Sequence, residues 1–153
     1  MFKPDPRTIA ALHDFIAQLS EPAASCIAQE LAAALAAARP DLTGVLLHAV
    51  DTAAAAALSP GRALTASACR AAAKRIQERY PGGSIELRIP PFSAVQIGFG
   101  DGPKHTRGTP PNVVELDAET FLALATGQLE WENARVSASG VHADQVSAVF
   151  PVT

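Results

Sequence analysis

Residues 105–115 have the sequence His105-Thr106-Arg107-Gly108-Thr109-Pro110-Pro111-Asn112-Val113-Val114-Glu115. The two prolines fix their own φ at about −65° and donate no backbone hydrogen bond. Each also favours an extended conformation in the residue before it, and Gly108 permits a sharp bend just upstream. The segment is therefore predicted to be a stiff loop carrying His105 and Arg107 that continues into a β-branched strand at 112–116.

The spacing of apolar residues on either side of this loop predicts the other elements. Before the loop the apolar period changes from about 3.6 residues, typical of helices, to about 2, typical of half-buried strands. Alternation predicts strands over residues 85–89, 94–99 and 135–139. Helical spacing predicts helices over about 6–19, 22–38, 45–59, 65–80 and 117–126, and a short final helix over 144–149.

Helices followed by strands that are interleaved with further helices are typical of an α+β fold. Because short turns join the strands, most strand pairs are predicted to be antiparallel. The chain has 153 residues, which fits one domain, or one domain with a helical extension.

Composition excludes several classes of protein. The net charge of −3 argues against a nucleic-acid partner. No apolar run reaches the roughly 18 residues needed to span a membrane, and the N-terminal sequence lacks the form of a signal peptide. These features predict a cytoplasmic protein. Cys26 and Cys69 lie within helical patterns and are predicted to be buried thiols rather than a disulfide pair.

Sequence motifs for catalysis and metal binding are absent. The four histidines are His13, His48, His105 and His142, and none lies in a paired zinc-binding pattern. No nucleophile elbow surrounds a serine. Glu130 and Glu132 flank Trp131 and are predicted to form a solvated turn rather than an acid–base pair. We therefore predict no catalytic residue, no bound metal and no cofactor.

A binding function requires polar and apolar ligand contacts, and the sequence offers both. Lys104, His105 and Arg107 place three potential cations within four residues, where Arg107 suits a carboxylate or phosphate head group. Apolar residues of the strands and of the helix after 117 would lie on or near the inner face of the sheet. The candidate ligand-binding residues are His105, Arg107, Asn112, Val95, Ile97, Phe99, Phe121, Leu124 and Trp131.

The run from His105 to Asn112 also carries a resemblance to a known family. Shorter matches support it, namely Pro90-Pro91-Phe92, Ala94-Val95-Gln96 and Leu124-Ala125-Thr126-Gly127. Over about residues 64–151 the chain resembles the bacterial sterol-carrier-like proteins, the actinobacterial branch of the SCP2-like superfamily. The resemblance implies a small curved sheet covered by helices, and non-enzymatic binding of a lipid or other apolar molecule in a cavity between them. Residues 64–153 would form that domain, and residues 1–63 an added N-terminal helical layer.

Two other functions are compatible with the sequence. Mycothiol-dependent maleylpyruvate isomerases carry an SCP2-like domain beside a metal-binding helical bundle, so the chain is alternatively predicted to be an accessory domain of such an enzyme system. Residues 1–60 offer only His13 and His48 for a bundle of that kind. A third hypothesis is an interaction module whose core is filled by side chains and whose Ala-rich helices bind a partner or a second copy.

Overall fold

A computed structural model of the chain describes residues 1–100 and 110–152. Its helices are α1 (Pro6–Ile16), α2 (Ala23–Ala36), α3 (Thr43–Ala55), α4 (Gly61–Arg79) and α5 (Ala118–Thr126). Its strands are β1 (Pro81–Ile89), β2 (Ser93–Ile97), β3 (Val113–Glu115) and β4 (Ser137–Ser139). Short 3₁₀ helices lie at Trp131–Asn133 and Ala143–Val149. The predicted α+β fold is confirmed.

Helix α4 lies at the centre of the packing. It contacts α1, α3 and α5 as well as β1 and β2, so it is enclosed on several sides. Its buried positions are mostly small residues, namely Ala66, Ser67, Ala68, Cys69, Ala71, Ala72 and Ala73, together with the larger Leu64 and Ile76. Small side chains let neighbouring elements approach closely, which explains how one helix contacts so many partners.

The four strands that the described residues contain form one sheet, in the order β2-β1-β3-β4. β1 is antiparallel to β2, with Leu87 opposite Val95. β3 is antiparallel to β4, with Val114 opposite Ala138. The central pair β1 and β3 is parallel, so two of the three pairings are antiparallel, and the prediction of a mostly antiparallel sheet is confirmed.

One face of β1 points into the core. Ile85, Leu87 and Ile89 are fully buried, whereas Glu86 and Arg88 alternate with them, are half-buried and form an ion pair (Nε to Oε1, 2.5 Å). This alternation is the expected pattern for a sheet that packs against helices on one side only.

Several element boundaries differ from the prediction. β1 begins at Pro81 rather than at residue 85, because the Gly98 amide donates to the Tyr80 carbonyl and extends the β1–β2 ladder. Side chains would block this approach: a Cβ added to Gly82 would lie 2.6 Å from the Gly98 Cα. Phe99 lies just beyond β2, and the predicted final helix is a 3₁₀ helix.

The N-terminal helices share the core of the sheet domain. Buried residues of α1, α2 and α3 belong to the same apolar cluster as those of α4, the sheet and α5. A buried hydrogen bond between the Thr8 and Ser67 hydroxyls (2.8 Å) also joins α1 to α4. Division of the chain at residue 63 stays a prediction. Within the described parts of the chain, no helix is long and apolar enough to cross a membrane.

The Asp41 carboxylate organises the polypeptide before α3. Its Oδ1 accepts from the Phe2 and Thr43 amides (both 3.0 Å) and from the Thr43 hydroxyl (2.6 Å). Its Oδ2 lies 3.4 Å from the Arg75 guanidinium. Burial alone would raise the pKa of Asp41, but the hydrogen bonds from Thr43 and Phe2 and the charge of Arg75 together hold that pKa well below its ordinary value.

We expect Asp41→Ala to lower the free energy of unfolding at neutral pH by about 1–3 kcal/mol, because several hydrogen bonds to a charged group are lost. A depressed carboxyl pKa stabilises the fold above the ordinary pKa of 3.8, and this contribution is lost as the pH falls toward the folded-state pKa. The difference between wild type and variant should therefore shrink below about pH 4. Urea denaturation followed by circular dichroism measures both effects.

Asp14→Ala is the matched control, since Asp14 is exposed on α1 and its loss should change the free energy of unfolding by no more than about 0.5 kcal/mol. If the difference in the free energy of unfolding between wild type and Asp41→Ala stays constant as the pH is lowered into the acid range, the role assigned to the Asp41 charge is contradicted.

Candidate functional site

The predicted binding residues divide into three groups in the structure. His105 and Arg107 lie outside the described residues. The second group lies beside Phe150 in the C-terminal segment and consists of Phe121, Leu124 and Trp131. The remaining four, Val95, Ile97, Phe99 and Asn112, lie on or beside the sheet.

Phe150 is the residue around which the second group assembles. The Trp131 ring stacks on the Phe150 ring, with centroids 5.9 Å apart and an angle of 23° between planes. The Phe121 ring packs edge to face against the Phe150 ring, with centroids 5.8 Å apart. Both are favourable arrangements for aromatic pairs. Sequence reasoning missed Phe150, whose only signal is that it lies in the apolar run Val149–Val152.

A groove lies beside this aromatic cluster, and we call it the Phe150 groove. Its volume is about 350 Å³. The apolar wall consists of Leu124, Leu129, Trp131, Phe150 and Pro151, and the polar lining of Glu130, Glu132 and Ser147. Leu124 and Trp131 are thus two predicted residues that line one concave surface, while the buried Phe121 supports Phe150 from within.

Hydrogen bonds and an aromatic contact hold the wall of the groove in place. Gly127, in the left-handed conformation (φ 79°), ends α5. The Val152 amide then donates to the Ala125 carbonyl (2.9 Å), which fixes the C-terminal segment against α5. On the far side the Tyr80 hydroxyl donates to the Ala148 carbonyl (3.2 Å), and the Tyr80 ring contacts Phe99 at 5.1 Å between centroids. Phe99 is therefore linked to the groove through Tyr80.

Side chains on the inner face of the described strands pack against the apolar core. Ile97 and Phe121 have no accessible surface, and Leu124 retains 1%. A side chain that lined a void large enough for water would keep accessible area, so Ile97 and Phe121 do not border a ligand-sized space between sheet and helices, and Leu124 reaches the Phe150 groove only through its small exposed part. Val95 is half-buried and packs against the same core. A cavity between the sheet and the helices stays a prediction.

A second groove lies between α3 and α5, and we call it the α3–α5 groove. Its volume is about 510 Å³. Apolar residues that line it include Val50, Ala53, Ala54, Leu58, Pro60, Leu122 and Ala123. None of the predicted binding residues that the structure describes lines it, so it offers an apolar ligand a second location that those residues do not share.

Asn112 is buried and hydrogen-bonded within the protein. Its Nδ2 donates to the Ser84 carbonyl (2.8 Å), and its Oδ1 accepts from the His142 amide (2.9 Å). Gly140 allows this approach, because a Cβ at that position would lie 2.3 Å from Asn112 Oδ1. Asn112 therefore ties the start of β3 to β1 and to the C-terminal segment, and its contacts in the structure are structural ones.

The two cysteines differ. Cys69 is fully buried on α4, as predicted, and burial raises the pKa of its thiol to about 12. The prediction that Cys26 is buried is wrong, because Cys26 is exposed. The buried stripe of α2 contains Ile27 and Leu31, and Cys26 is one position away from it, which is a rotation of about 100° around a helix.

Cys26 also lies near two other side chains of types that can bind a metal ion. One potential ligand atom from each of Cys26, Glu30 and His48 lies within 4.8 Å of the others. The sequence does not predict this group, because His48 is on a different helix and is 18 residues away from Glu30.

Comparison with protein families gives one match. A family model described as bacterial SCP ortholog matches residues 61–152, which is more than half of the chain. The match covers α4, the sheet, α5 and the Phe150 groove, and it leaves out α1, α2 and α3. Comparison with curated proteins gives no match.

We expect Asn112→Ala to lower the free energy of unfolding by about 2–4 kcal/mol, because two hydrogen bonds are lost and the Ser84 carbonyl is left buried without this partner. Gln128→Ala is the control, since the exposed Gln128 side chain also makes a hydrogen bond, to Asp51 (2.6 Å), whose loss should lower that energy by less than about 1 kcal/mol. Equal stabilities of Asn112→Ala and wild type in thermal and urea denaturation would disprove this structural role.

Proposed function

Because the chain belongs to the bacterial SCP ortholog family, a sterol-carrier-like family, we propose that it binds and carries a lipid or other apolar small molecule without catalysing a reaction. The observation that carries the proposal is the Phe150 groove. It lies in the part of the chain that the family model covers, and Leu124 and Trp131, two of the predicted binding residues, line it.

The groove offers the contacts that an acyl chain needs. Leu129 and Phe150, which are both partly exposed, provide an apolar wall with the nearly buried Leu124 at its base. The half-exposed Trp131 ring is stacked on Phe150, so it is held in place before a ligand arrives. Each methylene transferred from water to such a wall gains roughly 0.8 kcal/mol. A medium-length acyl chain would therefore gain enough to offset the free energy lost when two molecules associate.

Charge at the groove indicates which head groups it favours. Glu130 and Glu132 are exposed and flank Trp131, so their negative charges disfavour an anion at that position. An uncharged head group, such as an ester or an alcohol, suits the groove better. His105 and Arg107 lie outside the described residues, and the sequence-based proposal that they bind an anionic head group is tested separately below.

The two alternative functions stay predictions. Neither of them requires a lipid to bind in the groove. They are an accessory role in a thiol-dependent enzyme system and a role as an interaction module. Saturable lipid binding that is lost when the groove is filled would separate the carrier function from both of them.

We expect Ala148→Trp to weaken binding of a dansyl-labelled fatty-acid methyl ester, which is uncharged at the head group, about tenfold or more, since an indole at this exposed position would occupy the groove. Ala148 lies in the groove lining and is exposed, so the change should leave the fold intact. Saturable dansyl fluorescence measures the affinity, and circular dichroism checks the fold. In the wild type, the single tryptophan, Trp131, reports on an unlabelled lipid directly.

Ala54→Trp is the matched control, because Ala54 is an exposed alanine of the α3–α5 groove. It should bind the labelled methyl ester as the wild type does. If only Ala54→Trp loses binding, the ligand binds in the α3–α5 groove and not in the Phe150 groove. Absence of saturable binding to the wild type, with no lipid in its native mass spectrum, would refute the carrier function.

A separate prediction concerns Arg107. If its guanidinium binds an anionic head group, Arg107→Gln should weaken binding of lauric acid about tenfold and leave binding of methyl laurate unchanged, since a hydrogen bond to a charged group contributes about 1.5–3 kcal/mol. Titration of the Trp131 fluorescence compares the two ligands. Arg39→Gln is the control, because Arg39 is exposed after α2. Equal effects on the acid and the ester would exclude a head-group role for Arg107.

A further inference from the structure

Side chains of two N-terminal helices meet at a point that the carrier function does not use. Cys26 and Glu30 are four residues apart on α2, so they lie on the same helix face. His48 lies on α3, which packs against α2. The His48 Nδ1 lies 2.9 Å from both carboxylate oxygens of Glu30, and the Cys26 Sγ lies 3.9 Å from Glu30 Oε1.

We propose that Cys26, Glu30 and His48 form a zinc-binding site that joins α2 to α3. The three side chains supply one sulfur, one oxygen and one nitrogen, which are the donor types that zinc binds in proteins. A thiolate with an imidazole selects zinc over magnesium and calcium, which prefer oxygen ligands.

The distances between the donor atoms suit a tetrahedral ion. Zinc binds sulfur at about 2.3 Å, and nitrogen and oxygen at about 2.0–2.2 Å. Tetrahedral angles then place the donor atoms about 3.4–3.6 Å apart. The observed separations of 2.9 Å and 3.9 Å lie on either side of that range, and no two of the three donor atoms are more than 4.8 Å apart. Adjustments of about 1 Å by half-exposed or exposed side chains would complete the site.

Binding would release a proton and leave one coordination position open. Cys26 coordinates as the thiolate, so its proton passes to solvent, and Glu30 binds as the carboxylate. His48 binds through Nδ1, so the proton that Nδ1 donates to Glu30 must leave that nitrogen, and in the neutral imidazole it moves to Nε2 by exchange with solvent. The hydrogen bond between His48 and Glu30 is replaced by two bonds to zinc. Three protein ligands leave a fourth position for water or for another ligand.

The site is independent of the proposed carrier function. All three ligands lie before residue 61, outside the part that the family model matches, and none of them lines the Phe150 groove. Cys69 offers no competing thiolate, because it is fully buried on α4.

The full chain, freed of metal by dialysis against a chelator, would be titrated with Zn²⁺ in competition with a chromophoric chelator. We expect one zinc per chain. Cys26→Ala and His48→Gln should each weaken binding about tenfold or more, since each removes one of three ligands. Titration with Co²⁺ identifies the sulfur ligand, because a thiolate-to-cobalt charge-transfer band should appear with the wild type and be missing with Cys26→Ala.

Thermal unfolding supplies a second readout. Zinc that binds the folded chain should raise the Tm of the wild type and, at the same zinc concentration, raise the Tm of Cys26→Ala by less. His13→Gln is the matched control, since His13 is an exposed histidine of α1, and its zinc affinity should equal that of the wild type. Equal zinc affinities of wild type and Cys26→Ala, or zinc bound only between two chains in sedimentation experiments, would overturn the proposal.

Discussion

Close packing around α4 is the constraint on which the rest of the structure depends. This helix contacts three other helices and two strands, and most of its buried side chains are no larger than those of alanine, serine or cysteine. The bulk of the core therefore comes from its neighbours, among them Leu12, Phe15, Leu46 and Phe121. Larger residues on α4 would separate the layers, because a well-packed core does not accept added volume without strain. The same small surfaces let α1 and α3 join a core that the sheet and α5 already form.

Local signals in the sequence predicted most of the elements, and local chemistry explains why. Asp5 accepts hydrogen bonds from Arg7 and Thr8 at the start of α1, and Asp117 accepts from the amide and the hydroxyl of Thr120 at the start of α5. Both caps involve residues within three positions, so the sequence alone contains the information. The parallel pairing of β1 with β3 and the early start of β1 depend on distant partners such as Gly98. No local pattern specifies them.

The same distinction applies to the candidate sites. Phe121, Leu124 and Trp131 were predicted as apolar binding residues, but their common partner Phe150 lies at least 19 residues away along the chain, and only the fold brings them together. Cys26 and Glu30 have helical spacing that the sequence shows, yet His48 completes the group from another helix. The burial of Cys26 was predicted wrongly because a helical pattern fixes which face is buried only to within about one residue, or about 100°.

The location proposed for an apolar ligand rests on which parts of the fold can move without exposing buried side chains. Opening a space beneath the sheet would expose buried side chains such as Ile85, Leu87 and Ile97, and each square ångström of apolar surface exposed to water costs about 25 cal/mol. The Phe150 groove is bordered instead by two short 3₁₀ helices, whose hydrogen-bond geometry is poorer than that of an α-helix. The first of them, Trp131–Asn133, contains no buried residue, so its adjustment would disturb fewer buried contacts. Ligand-binding segments are generally drawn from such less stable parts of a protein, so the groove combines an adaptable rim with an aromatic wall that the α4 core supports from within.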